Sequence, residues 1–102
     1  MPYKLFIDDE RFPVDPEFRI ARNSYDAIWM VKQLGCPSEI AFDHDLSGYD
    51  TVMTFLRWFE DAVIDGVIDL PKNFCYSVHS QNPVGAENIR SRMDQLIKHF
   101  GE

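Results

Sequence analysis

Three polar clusters each follow a short apolar run: Asp8-Asp9-Glu10-Arg11 after Lys4-Leu5-Phe6-Ile7, Asp43-His44-Asp45 after Glu39-Ile40-Ala41-Phe42, and His79-Ser80-Gln81-Asn82 after Phe74-Cys75-Tyr76-Ser77-Val78. Charges placed directly behind core strands cost free energy unless they are paired or used. In an open parallel sheet, ligands bind at the carboxyl ends of the strands. The three clusters therefore describe one polar site assembled from three segments.

Asp8, Asp9 and Asp43 are hard oxygen ligands. Carboxylates brought together repel, so one is protonated or a cation sits between them. Magnesium, or another divalent cation, suits a few carboxylates, retained waters and a ligand phosphate. A His/Asp site for zinc or iron is a second metal reading. Surface pairing of Asp9 and Glu10 with Arg11 and Arg22 is the bland alternative, and for Asp9 alone it is the simpler one. His44 lies between two aspartates, which orient an imidazole for acid–base work near neutral pH. Taken alone, it needs no more than a hydrogen bond to Asp45. His79 is expected at the matching position of the neighbouring strand, where two histidines can act as base and acid across one phosphodiester.

The stretch from His79 to Gly85 is the sharpest anion signal. A strand ends, a helix begins, and Gly85 leaves its first turn without side-chain bulk, so free N–H groups and the positive helix end can cradle a phosphate. Ser80 and Asn82 add neutral donors and acceptors, and Arg11 a planar charged clamp. Helix–sheet packing for Gly85 and plain N-capping for Asn82 stand beside that reading. Tyr49 can stack on a base or ribose, or simply pack.

The elements that must position these groups alternate. Tyr3 to Ile7, Phe18 to Arg22, Ile40 to Phe42 and Phe74 to Val78 read as strands. Pro13 and Pro16 make the stretch from Asp9 to Pro16 a loop. A first helix is capped by Ser24, with Ala27, Ile28, Val31 and Leu34 at helical spacing, and stops at Gly35. A second runs from about Asp50 to Ile64 on Val52, Phe55, Leu56, Phe59 and Val63. A third is capped by Asn82, starts at Pro83 and closes at Gly101, with His99 a cation on its last turn. This pattern predicts an α/β fold: a three-layer sandwich around a mainly parallel four-stranded sheet, covered on both faces, in the order 2-1-3-4. The switch point then falls between β1 and β3, where Asp8, Asp9 and Asp43 lie. Cys75 falls in a predicted core strand and Cys36 at a helix exit, both as reduced thiols. Trp29 and Trp58 lie off the main apolar stripes and are expected half exposed.

The chain has 102 residues, of which 45% are hydrophobic, and a formal net charge of -7. That size suits one domain, residues 1–102, with one core. The acidic balance argues against nucleic acid or anionic membranes as partners. No leader pattern and no spanning stretch is visible, which points to the cytoplasm.

The acidic pair Asp8-Asp9, Asp43 and Ser80 resemble the response-regulator receiver domain, whose corresponding positions supply an acidic pair, the phosphate-accepting aspartate and a switch hydroxyl. More closely, DDERFP (8–13), FDHDLSGYD (42–50) and VHSQNPVGAENI (78–89) resemble the receiver-like family called the cyclic-phosphate processing receiver domain. The resemblance spans nearly the whole chain, and HSQNPVG is its most specific part. It implies a truncated, flavodoxin-like receiver fold and phosphoesterase-like processing of a cyclic phosphate on a nucleotide or ADP-ribose-like molecule. Asp8, Asp9, Arg11, Asp43, His44, Asp45, His79, Ser80 and Asn82 would line the site. Bacterial and phage contexts also follow from it, hence the host cytoplasm for a phage-encoded copy. No fifth strand follows the last helix, so nothing matches the receiver's phosphoryl-binding lysine, and the β4 edge is left for a loop or a homodimer to protect. Two other readings stay open: a non-catalytic module binding a nucleotide or a host protein, and a degenerate receiver used in protein contacts.

Overall fold

A computed structural model of the chain describes residues 3–101. Its elements are β1 (Lys4–Ile7), β2 (Phe18–Ala21), α1 (Ser24–Leu34), β3 (Glu39–Phe42), α2 (Met53–Ile64), β4 (Cys75–Val78) and α3 (Pro83–Phe100). All strands pair in parallel, in the order β2-β1-β3-β4. This is the receiver-like order that the alternation of elements predicts.

Strand alternation divides the side chains between two faces. Leu5, Ile7, Ile40 and Phe42 point one way and join Ala27, Val31, Phe55, Phe59, Ile89 and Met93 in one core. Fully burying each large apolar side chain contributes about 1.5–3 kcal/mol. Helix α1 packs on α2 and α2 on α3, so all three lie on this face. The reason is the direction of travel. From β2 to β3 to β4 the chain advances across the sheet, and right-handed crossovers in one direction stay on one side.

The step from β1 to β2 runs backwards, so its right-handed crossover passes over the other face. Residues 8–17 make that crossing as a loop, because Pro13 and Pro16 disfavour a helix there. Lys4 holds the loop through Asp15 at 2.9 Å. Phe6 lies beneath, edge-on to Phe18 with ring centroids 6.1 Å apart. Both faces are covered, but one layer is three helices and the other a single thin strap.

Several expected boundaries move for local reasons. Asn23, not Ser24, caps α1 by accepting from the Asp26 N–H. Ser24 is buried and turns its hydroxyl inward to donate to the Thr51 carbonyl at 2.9 Å. Helix α2 begins at Met53 rather than near Asp50, since Thr51 bridges to Asp45 and the Val52 N–H donates to the His44 carbonyl. Cys75 is exposed, because β4 is an edge strand whose residues Tyr76 and Val78 take the inward positions. Cys36 is a half-buried free thiol. Trp29 is 63% exposed, whereas Trp58 leans on the core.

Candidate active site

The sheet ladder runs one residue past its strands. Asp8 N–H donates to the Ala21 carbonyl (3.1 Å), Asp43 N–H to Ile7 (3.0 Å) and His79 N–H to Phe42 (2.9 Å). Each polar cluster therefore begins with a residue still held in register. Alternation sends the Asp8, Asp43 and His79 side chains to the Phe6 face.

Asp8 is fully buried. Its Oδ1 accepts the Glu10 and Arg11 amides, each at 2.9 Å, which folds residues 8–11 into a tight turn. Its Oδ2 takes His79 Nε2 at 2.9 Å and faces Arg11 Nη1 at 3.6 Å. The His79 ring lies flat on Phe6, with centroids 4.7 Å apart and planes 4° from parallel. Arg11 Nη1 donates to the His79 carbonyl at 3.0 Å, and Arg22 Nη1 to the carbonyls of Asp8 and Arg11. Burial pushes the Asp8 carboxyl up, but the Arg11 and Glu10 amides, and then His79, outweigh it, and the net direction is down. An ionised carboxylate only accepts, so His79 carries its proton on Nε2 and leaves Nδ1 free.

His44 leaves on the opposite side. Its Nδ1 meets Asp45 Oδ1 at 2.9 Å. Asp45 Oδ2 accepts from Asn82 Nδ2 at 3.3 Å, and Asn82 Oδ1 accepts the Gly85 N–H at 2.9 Å. The His44 ring occupies the space beside Gly85 where any other residue would carry a Cβ. Asp45 thus ties the end of β3 to the start of α3. By the same logic as for His79, His44 is protonated on Nδ1 and leaves Nε2 free. Among the described residues neither free nitrogen has a hydrogen-bond partner. Among the described residues no fully buried side-chain nitrogen or oxygen lacks a partner, so neither free nitrogen is fully buried.

Between these two carboxylate–imidazole pairs opens a crevice of about 530 Å³, walled by Asp9, Glu10, Arg11, Asp43, Asp45, Ser80 and Asn82, among others. Asp8, His44, His79 and Gly85 are not among its lining residues. The expected alignment of His44 with His79 is off by one residue: His79 is in register with Asp43, and alternation puts the two imidazoles on opposite sides of the sheet plane. The expected phosphate cradle is also reduced. Gly85 N–H is spent on Asn82, Ser80 Oγ accepts the Asn82 N–H at 3.0 Å, and Ala86 N–H bonds the Asn82 carbonyl. The capping role of Asn82 is as expected. Phe6 was not expected at the site, and Arg22, expected as a surface partner of Asp9 and Glu10, instead donates to the carbonyls of Asp8 and Arg11. Phe6 was legible in principle, since it lies two residues before Asp8 and so on the same side of β1.

Asp8, Asp9 and Asp43 each offer a carboxylate oxygen, all within 4.8 Å of one another. Asp8 Oδ1 is already saturated by two amides, and its Oδ2 is shared with His79. Asp43 uses Oδ1 for the His44 amide at 2.9 Å and has Oδ2 to spare, and Asp9 holds only a 3.3 Å bond from Ser47 Oγ. This donor set fits a hard divalent ion, with Asp43 and Asp9 as the open ligands and Asp8 behind them.

Asp43 is 8% exposed, and its carboxyl is pushed up by burial and then by the charge of Asp8. Its folded-state titration lies above the ordinary 3.8, so ionising it costs stability from that pH upward. Asp43→Asn keeps the acceptor for the His44 amide and removes the charge. Its melting temperature at pH 7 should exceed that of the parent by a few degrees, and the gain should vanish below pH 3.8. A thermal melt series across pH reads this directly. An Asp43→Asn protein no more stable at pH 7 would show that the carboxylate is not strained.

A four-stranded parallel sheet in receiver order, with an acidic crevice at the switch between β1 and β3, defines a receiver-like domain. The chain matches the family described as the Cyclic-phosphate processing Receiver domain over residues 3–95, and it belongs to that family. Comparisons with curated proteins and with solved structures give no match. No helix among the described residues is long and apolar enough to cross a membrane.

Proposed function

We propose that the domain is a phosphoesterase that opens a cyclic phosphate on a nucleotide or ADP-ribose-like small molecule. The supporting observation is the pair of carboxylate-held imidazoles, Asp8–His79 and Asp45–His44, on strand ends whose neighbouring residues Asp9, Asp43, Asp45 and Ser80 line one crevice. Each has one ring nitrogen fixed and the other unpartnered and not fully buried, the arrangement a general base or acid requires, directly or through one water. Water attacks phosphorus and one ring P–O bond breaks; one imidazole, neutral, takes the water's proton on its free nitrogen, and the other, entering as the imidazolium, gives the proton on its exposed nitrogen to the departing oxygen. Arg11 and the start of α3 stabilise charge that develops on the phosphoryl oxygens. A divalent ion bound by Asp43, Asp9 and Asp8 would polarise the phosphoryl group and offset the carboxylates of the wall. Magnesium is the simplest candidate.

One observation favours a rival, a module that binds a nucleotide without turnover: neither histidine lines the crevice wall itself. Phosphorus NMR on 2′,3′-cyclic nucleotides and an ADP-ribose cyclic phosphate separates the two, run with magnesium, with manganese and with EDTA. The phosphoesterase reading expects a new monoester resonance that grows with metal and stops in EDTA. Shifted or broadened diester signals without product would establish the binding module instead. Turnover unaffected by EDTA would remove the metal but leave the histidines.

A further inference from the structure

Four carboxylates, Asp9, Glu10, Asp43 and Asp45, line the crevice with a single guanidinium, Arg11. That excess is unusual for a pocket proposed to take a phosphate. Asp9 and Asp43 have a use as metal ligands, and Asp45 holds His44 and Asn82. Glu10 has none of these. Its side chain makes no hydrogen bond or ion pair among the described residues, yet its backbone is pinned to the rim because its N–H is bonded to Asp8 Oδ1 at 2.9 Å. The turn that builds the Asp8–His79 pair therefore also holds the backbone of a residue whose unpartnered carboxylate lines the crevice.

We infer that Glu10 is a specificity-determining residue: it selects singly charged phosphodiesters and disfavours phosphate monoesters and polyphosphates. The inference rests on the phosphoesterase reading and adds to it the charge class of the substrate. A cyclic phosphodiester carries one negative charge. Hydrolysis adds water across one P–O bond and gives a monoester with a second acidic oxygen, which ionises with a pKa near 6. At neutral pH the product therefore carries nearly twice the charge of the substrate, and a proton is released to solvent. A carboxylate tethered at the rim repels the product about twice as strongly as the substrate, which favours product release. The same repulsion disfavours a ligand that brings a diphosphate with its cyclic phosphate, so among the candidate substrates a cyclic mononucleotide is favoured over an ADP-ribose derivative.

The test compares Glu10→Gln with the parent, both in a His79→Gln background so that the diester survives titration. The probes are adenosine 2′,3′-cyclic phosphate, adenosine 3′-phosphate and ADP-ribose cyclic phosphate, with dissociation constants read by calorimetry at low and high salt. For a nominal separation of about 8 Å in water, Coulomb's law makes loss of one carboxylate worth roughly 2.4-fold for a monoanion and about sixfold for a dianion at low salt. The ADP-ribose compound should gain more than either, and all three effects should shrink as salt shortens the Debye length. Equal gains for all probes, or none, would overturn the charge selection while leaving the phosphoesterase reading intact. Failure of every probe to bind either protein would instead remove that reading, and this inference with it.

Discussion

His79→Ala should lose about 10²–10⁴-fold in turnover of a cyclic phosphate, the range a positioned general acid or base supplies. Two effects are expected together, and a second variant separates them. Alanine removes the free Nδ1, and it also strips a hydrogen bond from Asp8 Oδ2 in a fully buried carboxylate. An unpartnered buried acceptor costs about 1–3 kcal/mol. Asp8 keeps the Glu10 and Arg11 amides, so the fold should survive with a lowered melting temperature. His79→Gln offers an amide donor to Asp8 and should recover much of that stability without recovering turnover. Turnover that returned with His79→Gln would make His79 a structural support only. The acid limb carries a further signature. Because Asp8 titrates below its ordinary 3.8, its contribution to stability is complete above that pH and fades as pH falls through the folded-state value. Removing His79 takes away one of the groups holding it down, so the variant has less to lose in acid. The stability gap between parent and His79→Ala should narrow there.

The same pair shows where sequence reading succeeds and where it stops. Short apolar runs ending in charge identified the three strand ends, and the alternation of elements identified the sheet order, because both depend on patterns local to a few residues. The convergence of Asp8 and Asp43 followed from that order. The relation between the imidazoles did not, since it turns on the register of β3 against β4. Phe42 pairs with Val78, so His79 falls beside Asp43 rather than His44, and that one-residue offset puts the two rings on opposite sides of the sheet. Asn23 and Ser24 are both good caps, and the choice was made by Thr51, which is 27 residues from Ser24 and gives its hydroxyl a buried partner. Cys75 looked like core because its neighbours are apolar, but in an edge strand only alternate residues face the helices. The loop over the second face was legible in Pro13 and Pro16. That it alone covers that face follows only from the backward step between β1 and β2.

Gly85→Ala should behave as an indirect His44 variant, although alanine is ordinarily the better helix residue by about 0.5–1 kcal/mol. A Cβ at position 85 would fall on His44 Cγ and lie 2.7 Å from Nδ1, so the ring must leave its place. Leaving breaks the Nδ1 bond to Asp45, frees the imidazole to rotate, and loosens the tie from Asp45 to Asn82. Overpacking of this kind costs about 1–3 kcal/mol, more than the helix propensity returns. Turnover should fall to the level of His44→Ala, and combining the two changes should cost little more, since both remove one function. Stability carries the more discriminating sign. In a His44→Ala background the clash disappears, so Gly85→Ala should become neutral or stabilising while remaining destabilising in the parent. A double-mutant cycle by chemical denaturation measures that reversal. If Gly85→Ala destabilised both backgrounds equally, the glycine would answer to helix–sheet packing rather than to the histidine. If turnover stayed at the parent level despite the displaced ring, His44 would drop out of the acid–base pair, leaving His79 and the crevice to carry the chemistry.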